Sequence, residues 1–375
     1  MRYTAKEIPA VFTARRMSVV MAGLLLGAAC LVPRGGMAQV SGECVNCHTM
    51  HNSQGGTNIM NGTDTVYRSL TRGDCVGCHT ATGNAPTGLL DTIPYVNHTT
   101  EPALTVGGTL AGGSFYWVGT GTADVKGHNV KGVVAADGVL GNTPPGGLAL
   151  GSQLTCAGTT GCHGDRAQAD EYSALSGSHH AAPLTITTGA TLATSYRFLD
   201  GIKGIEDADW EKTVSATDHN QYYGVGRSTD AIADTHTISA LCGQCHGAFH
   251  ASSAAHNADG VGISYDNTMT SPWVRHPTDF DMNVVKGSEY GAYGGGVIGT
   301  GGGAYVPQAP VASGATAVLG TVLNAAGDAV VTCISCHRAH GSNQADLLRW
   351  DYTTMDAHAG SSTSGCFACH TTKDT

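Results

Sequence analysis

Residues 333–340 read Cys333-Ile334-Ser335-Cys336-His337-Arg338-Ala339-His340, and the first five form a C-x-x-C-H motif. Four more copies of this motif are spread along the chain, and a sixth is stretched to C-x5-C-H. The paired cysteines are Cys44 and Cys47, Cys75 and Cys78, Cys156 and Cys162, Cys242 and Cys245, Cys333 and Cys336, and Cys366 and Cys369. The histidines that follow them are His48, His79, His163, His246, His337 and His370. The pattern indicates one chemistry repeated six times.

The C-x-x-C-H motif is typical of c-type haem attachment. Its two thiols form thioethers with the haem vinyl groups, and the adjacent histidine becomes the proximal ligand of the iron. A disulfide scaffold does not require a histidine after every cysteine pair, and a structural zinc site combines two such pairs without it. The stretched motif keeps Cys162-His163 and leaves no cysteine for another use. The sequence therefore predicts six covalently bound c-type haems.

Twelve of the 18 histidines remain for the second axial position of the six irons. Methionine is the competing ligand, but only five methionines follow residue 38. This supply favours low-spin iron with histidine on both sides. His51, His250 and His340 lie three or four residues after a proximal histidine. At no more than about 3.5 Å of chain per residue, they cannot reach the opposite face of the same haem, so each would bind a different one.

Local sequence guides the choice of the other distal ligands. His128 and His276 lie in Gly127-His128-Asn129 and Arg275-His276-Pro277, which are turns suited to presenting a ring. Near the stretched motif, His180 is the predicted distal ligand. Polar surroundings predict surface positions for His219, His236 and His256. The predicted distal set is His51, His98, His128, His180, His276 and His340, with His250, His179 and His358 as the alternatives.

The composition agrees with a chain built around rigid cofactors. Glycine accounts for 53 of 375 residues, aromatic residues for 6% and charged residues for 13%. Such small side chains predict that porphyrins fill the interior and that glycine lets the backbone lie against them. The glycine-rich stretches 106–122, 132–152 and 286–328 predict loops with short strands. We expect a mostly irregular fold with few short helices and short β hairpins, including a helix at 164–175 and a hairpin at 317–332 with its turn near 324–328.

Residues 1–38 are predicted to be a secretory signal peptide. Basic residues precede an apolar run from Val19 to Val32, and Gly36-Met37-Ala38 resembles a cleavage site. The run is too short to span a membrane, and Gly27 before Cys30 argues against a lipoprotein. Residues 39–375 carry 14 basic and 28 acidic residues, a net charge of −14 that disfavours nucleic-acid binding. They are predicted to form a single hexahaem domain, secreted to the cell surface through the periplasm without a membrane span.

Several stretches resemble the extracellular filament-forming multihaem cytochromes of bacteria, the nanowire cytochromes. In chain order they are Glu43-Cys44-Val45-Asn46-Cys47-His48-Thr49-Met50-His51-Asn52-Ser53, Gly127-His128-Asn129, Arg275-His276-Pro277 and residues 333–340. In that family a histidine closely follows the third motif, whereas here Gly164-Asp165-Arg166 stands in its place. The distal ligand must then come from elsewhere, which is why His180 enters the set.

The resemblance implies that protomers polymerise head to tail around one continuous haem stack. His51 would then bind the iron held by Cys333, Cys336 and His337 in the neighbouring protomer. The implied function is extracellular electron transfer to external acceptors or other cytochromes, with no substrate transformed. One alternative is a monomeric periplasmic electron carrier, in which His51 binds a haem of its own chain. The other is a multihaem reductase, which requires an iron with an open position. Arg275 and Arg338 are candidate partners of the haem propionates.

Overall fold

Short turns of helix and two-stranded ladders, joined by long irregular segments, make up the chain in a computed structural model. The structure describes residues 44, 48–51, 53–54, 57–58, 67–71, 73–81, 93–103, 108–119, 123–177, 187–227, 232–250, 276–358 and 364–373. All of them belong to one compact unit, Ala38–Thr375. The predicted signal peptide, Cys47, His179, His180, His256 and Arg275 lie outside the described residues.

Most helices in the described part are a single turn, and several contain a haem motif. The α-helices are α1 (Cys75–Cys78), α2 (Tyr116–Gly119), α3 (Glu171–Ala174), α4 (Ile238–Gly243), α5 (Gly247–His250) and α6 (Cys333–Cys336). The 3-10 helices are Arg68–Leu70, Asp124–Lys126, Leu192–Thr194, Tyr196–Phe198, Met282–Val285, Glu289–Gly295, Ala345–Leu347, Tyr352–Thr354 and Gly365–Ala368. Capping side chains start the motif helices: Asp74 accepts from the Gly77 N–H, and Thr332 forms a capping box with Ser335. The residue before the first cysteine thus fixes where the turn begins.

The strands of the described part are two or three residues long and form six separate pairs. They are β1 (Ser53–Gln54), β2 (Thr57–Asn58), β3 (Thr80–Ala81), β4 (Asn97–His98), β5 (Thr155–Ala157), β6 (Gly161–His163), β7 (Gly204–Ile205), β8 (Gln221–Tyr222), β9 (Phe280–Asp281), β10 (Gly303–Ala304), β11 (Thr321–Val322) and β12 (Val330–Val331). The pairs β3–β4 and β5–β6 are parallel. The pairs β1–β2, β7–β8, β9–β12 and β10–β11 are antiparallel. The prediction of a mostly irregular fold with few short elements is confirmed.

Two local predictions need correction. The helix expected at 164–175 is only Glu171–Ala174, because Gly164 has a φ of +77° and the Asp165 carboxylate closes a turn on the Ala167 N–H. The hairpin expected at 317–332 is wrong, since β11 pairs with β10 and β12 pairs with β9. Its turn is present, because the Asp328 carboxylate accepts from the backbone N–H groups of residues 323–325.

Buried apolar side chains of the described residues form three separate clusters. The first contains Met282, Tyr293, Tyr305, Val322 and Leu323. The second contains Tyr196, Tyr222, Ile238, Leu241 and Ile334, and the third contains Phe115, Val118 and Val130. A polypeptide core divided in this way is consistent with an interior shared with large rigid cofactors.

Candidate haem sites

Each of the six predicted proximal histidines has its ring nitrogen Nδ1 within hydrogen-bond distance of an oxygen. The pairs are His48 with the Ser69 carbonyl at 3.0 Å, His79 with Pro94 at 2.9 Å, His163 with Arg197 at 2.9 Å, His246 with Pro145 at 2.8 Å, His337 with Asp346 at 2.6 Å, and His370 with the Glu289 carboxylate at 3.2 Å. Since carbonyl and carboxylate oxygens only accept, Nδ1 carries the proton. Nε2 is then the nitrogen available to iron, as in histidine ligands of metal sites generally.

The first, third and fifth proximal histidines share one kind of anchor. Their carbonyl partners Ser69, Arg197 and Asp346 have φ of 57°, 50° and 58°, and the residue after each is also left-handed. The carbonyl of that next residue accepts the N–H of the residue after the histidine, in the pairs Leu70 to Thr49, Phe198 to Gly164 and Leu347 to Arg338. Two successive non-glycine residues in the left-handed conformation are strained. The hydrogen bonds to the proximal histidine and to the next residue stabilise each turn, and the turn in return orients the histidine ring.

The second and fourth proximal histidines are anchored by a proline carbonyl instead. Pro94 and Pro145 have fixed backbone φ and no N–H of their own to satisfy. Nearby backbone bonds join the same segments: the Val96 N–H donates to the His79 carbonyl, and the Ala248 N–H donates to Gly146. The two kinds of anchor therefore alternate along the chain through the fifth motif, and the carboxylate at the sixth motif departs from both.

The stretched third motif recovers the proximity of its cysteines through strand pairing. The parallel register joins Thr155 to Gly161 and Ala157 to His163, which places Cys156 beside Cys162 on the neighbouring strand. The intervening loop turns at Gly158, where φ is +84°, and its carbonyl accepts the Gly161 N–H at 2.9 Å. A Cβ on Gly161 would lie 2.5 Å from backbone atoms of Ala157. The two thiols can therefore approach one haem despite three extra residues between them.

The cysteines of consecutive motifs lie next to one another. The sulfur atoms of Cys75 and Cys156 lie within 4.8 Å of each other and of the Glu171 carboxylate. Burial, followed by the proximity of Cys245, raises the pKa of Cys162 to about 11. Cys242 and Cys333 lie on the neighbouring helices α4 and α6, which the Cys333 N–H joins by donating to the Ser239 hydroxyl at 3.4 Å. Burial and then the proximity of Cys366 raise the pKa of Cys336 to about 12. First cysteines face each other between the second and third motifs and between the fourth and fifth, and second cysteines do so between the third and fourth. Cys336, a second cysteine, lies near Cys366, a first one.

Three predicted distal histidines face proximal ones from other motifs. The ring centroids are 6.4 Å apart for His163 and His340, 6.2 Å for His246 and His128, and 6.3 Å for His370 and His276. Two imidazoles on opposite sides of one metal ion, with metal–nitrogen bonds of about 2 Å, have centroids about 6 Å apart. These three pairs have the separation that a shared iron requires.

The distal histidines differ in how they are held. The Nδ1 atoms of His128 and His276 lie 2.7 Å and 3.0 Å from the carbonyls of Ala339 and Pro277. His98 is buried with Nδ1 at 2.9 Å from the Ser114 hydroxyl, on the strand beside His79. His340 is partly buried, and its buried Nδ1 atom has no hydrogen-bond partner. Burial, followed by the proximity of His163, lowers the pKa of His340 to about 3, so this ring is neutral.

The remaining histidines fall into different environments. His51 is exposed. His219 is buried, which corrects the surface prediction: Nδ1 and Nε2 face the carbonyls of Asn220 and Leu319, and the ring stacks on Tyr305 at 3.5 Å. The His236 side chain is 41% exposed and contacts Asp234. His358 has a φ of +66°. The His250 side chain lies outside the described residues.

Several residues at these sites carry no motif in the sequence. Glu289 is 81 residues before His370, Ser114 is 16 after His98, and Glu171 is 96 after Cys75. Only the folded chain brings them to their partners. Arg338, a candidate propionate partner, donates to the carbonyls of Leu110 and Ala111. Burial and the nearby Arg349 lower the pKa of Arg338 to about 10. The charge of Glu211 opposes this shift, and a haem propionate stays a predicted partner of Arg338.

The polypeptide fits c-type haem on the observations above. The eleven described cysteines form no disulfide with one another, the proximal rings are oriented for metal, and three imidazole pairs have the separation of axial ligands. Comparison with known proteins adds two findings. The doubled CXXCH motif family matches residues 325–375. The chain is 27% identical to C-type cytochrome OmcS of Geobacter sulfurreducens, over 93% of this chain and 88% of OmcS.

These findings support an OmcS-like multihaem c-type cytochrome. The resemblance predicted from the motifs is confirmed, and so is covalently bound c-type haem. Among solved structures, the outer membrane cytochrome S filament of Geobacter sulfurreducens has 24% identity and a TM-score of 0.45, covering 84% of this chain and 85% of that one. The OmcS nanowire structure has 21% identity and a TM-score of 0.46, covering 88% of each chain. No helix in the described part of the OmcS-like cytochrome is long and apolar enough to cross a membrane.

Proposed function

We propose that this OmcS-like cytochrome is a hexahaem electron conduit that polymerises into an extracellular filament. Residues 1–38 would be removed during export, and residues 39–375 would form one hexahaem domain. The observation that carries the proposal is the proximity of cysteines from consecutive motifs, from Cys75 beside Cys156 to Cys336 near Cys366. Haems attached at neighbouring cysteines lie close together, so electrons can pass from one to the next in chain order. The chain's own role is to fix the haems and keep water and substrates from the irons.

Histidine on both sides of every iron would leave no position for a substrate. His163 with His340, His246 with His128 and His370 with His276 would each hold one haem, which supplies a reversible one-electron centre when bound. His98 and His180 are the ligands proposed for two of the remaining haems. With all six irons closed in this way, no substrate would be transformed, which disfavours a reductase.

The fifth haem supports the proposal of a polymer. Among the described histidines, His337 is in no imidazole pair at the separation of axial ligands, although its Nδ1 is anchored to Asp346. His51 is exposed and lies three residues beyond a proximal histidine. OmcS has been solved as a filament. His51 of one protomer would therefore complete the fifth site of the next and continue the haem chain between protomers.

Electron microscopy of sheared cell-surface material tests the proposal, together with the spin state and haem-to-protein ratio of the purified protein. The wild type should form filaments with six low-spin haems per protomer. His51→Ala should yield single protomers in which one haem becomes high-spin. His236→Ala is the matched control, because this half-exposed histidine contacts Asp234 and should leave filaments unchanged.

Two results would reject the conduit. Single protomers with six low-spin haems would identify a periplasmic carrier whose His51 binds within its own chain. Filaments with a high-spin haem in the wild type would leave an iron open to substrate and favour the reductase. If His51→Ala still forms filaments with six low-spin haems, the inter-protomer ligand is wrong.

A further inference from the structure

The sixth haem site has a carboxylate where the other five have a neutral carbonyl. The Glu289 Oε1 atom lies 3.2 Å from the His370 Nδ1 atom, whereas the other proximal histidines contact the backbone oxygens of Ser69, Pro94, Arg197, Pro145 and Asp346. No other proximal histidine has a carboxylate at Nδ1. The sixth site therefore differs from the other five in the charge of the group that accepts from Nδ1 of the proximal histidine.

Glu289 is held firmly in this position. Its other oxygen, Oε2, accepts from the Thr372 hydroxyl and from the Thr372 N–H at 3.3 Å, while its backbone carbonyl accepts from the Thr371 hydroxyl at 2.7 Å. The Glu289 side chain is only 10% exposed. The Tyr290 ring packs edge-on against His370 with centroids 5.2 Å apart. The carboxylate is therefore bound on one oxygen by the segment after the haem motif and presents the other to the proximal ring.

One cation lies close to this pair. The Lys373 ammonium is 3.8 Å from the same Oε1 atom, but its side chain is 63% exposed. An ion pair this exposed is weak and strongly hydrated. Lys373 therefore offsets the Glu289 charge only in part, and the hydrogen bond to His370 keeps its charged acceptor.

We infer that Glu289 is a positioning residue that lowers the reduction potential of the sixth haem through His370. A carboxylate at Nδ1 makes the imidazole a stronger electron donor than a carbonyl does. A more basic axial ligand stabilises ferric iron over ferrous iron. Electrons would then occupy the sixth haem less readily than its neighbours, giving one low-potential step per protomer. The inference rests on the proposed ligation of this haem by His370 and His276.

Spectroelectrochemical titration of the purified holoprotein tests the inference with the variant Glu289→Gln. The amide oxygen still accepts from His370, but the charge is gone. We expect one of the six haem transitions to move to more positive potential, with the haem methyl NMR shifts of a single haem moving as well. Glu101→Gln is the matched control, because Glu101 accepts from the Trp117 ring N–H and should move none of the transitions.

The variant Lys373→Gln gives a second, independent test of the inference. Removing the cation near Oε1 strengthens the Glu289 acceptor, so the same transition should move to more negative potential. If Glu289→Gln leaves all six transitions where they are, Glu289 has no tuning role and the inference is rejected. Should Glu289→Gln lose a haem, the Lys373→Gln titration decides alone, and no shift there rejects it. Haem content and low-spin fraction are measured separately. If the wild type lacks six low-spin haems, that result counts against the proposed ligation and not against the role of Glu289.

Discussion

The third and fourth haem sites reach the same ligand separation through different local structures. At the third, the cysteines lie on the paired strands β5 and β6, and a strained turn at Arg197 anchors His163. At the fourth, Cys242 lies in helix α4 and the Pro145 carbonyl anchors His246. Their distal rings lie 6.4 Å and 6.2 Å from the proximal ones. The separation of the ligand rings is therefore preserved although neither the motif spacing nor the anchor is.

The two distal ligands belong to one connected structure but are held unequally. The His128 N–H donates to the His340 carbonyl at 3.2 Å, and the His128 Nδ1 atom contacts the Ala339 carbonyl. The His340 Nδ1 atom has no such partner and its ring is kept in place by packing against Phe115, 4.9 Å between centroids. The third haem is therefore the one whose distal ligand depends most on burial.

The largest effect should come from removing that ligand. His340→Ala should convert about one sixth of the haem to high-spin iron, because no other described histidine pairs with His163. Haem absorbance and EPR of the purified protein measure the fraction. His219→Gln is the control, since His219 is more deeply buried than His340 but stacks on Tyr305 and faces two carbonyls. If His340→Ala keeps every haem low-spin, the pairing of the third haem is wrong.

The sequence predicts the parts of these sites that adjacent residues encode, but not the partners that lie far away along the chain. The six motifs and the turns at His128 and His276 are visible because a few adjacent residues encode them. The short separation between His337 and His340 predicts that His340 binds a different haem, but nothing nearby in sequence links it to His163. The anchors Arg197 and Glu289 lie 34 and 81 residues from their histidines. His219 was misplaced because polar neighbours in sequence do not reveal a ring packed on Tyr305, 86 residues later.

A smaller effect is expected from a change that affects haem attachment at the third motif alone, because its cysteines lie on paired strands rather than in a helix. Gly161→Ala would place a Cβ at 2.5 Å from backbone atoms of Ala157 and disturb the register that holds Cys156 beside Cys162. We expect the haem-to-protein ratio to fall from six toward five, measured by pyridine haemochrome assay and intact-protein mass. Gly151→Ala is the matched control, because a Cβ there meets nothing within 4 Å. Full haem content in Gly161→Ala would show that the strand pair is not needed for attachment.

The smallest expected effect concerns the left-handed turns, which anchor three of the proximal histidines in place of a proline carbonyl. Asp346, the exposed anchor of His337, has the same left-handed backbone as Arg197, with a φ of 58°. That conformation costs a non-glycine residue about 1–2 kcal/mol, and the greater freedom of glycine in the unfolded chain offsets about 0.4–1 kcal/mol. Asp346→Gly should therefore raise the free energy of unfolding by up to about 1.6 kcal/mol, seen as a higher denaturant midpoint. The low-spin spectrum should persist, because His337 bonds to the backbone carbonyl rather than to the carboxylate. Asp356→Gly, at an exposed position without a positive φ, should lower the midpoint instead, and equal shifts in both variants would mean that the turn stores no strain.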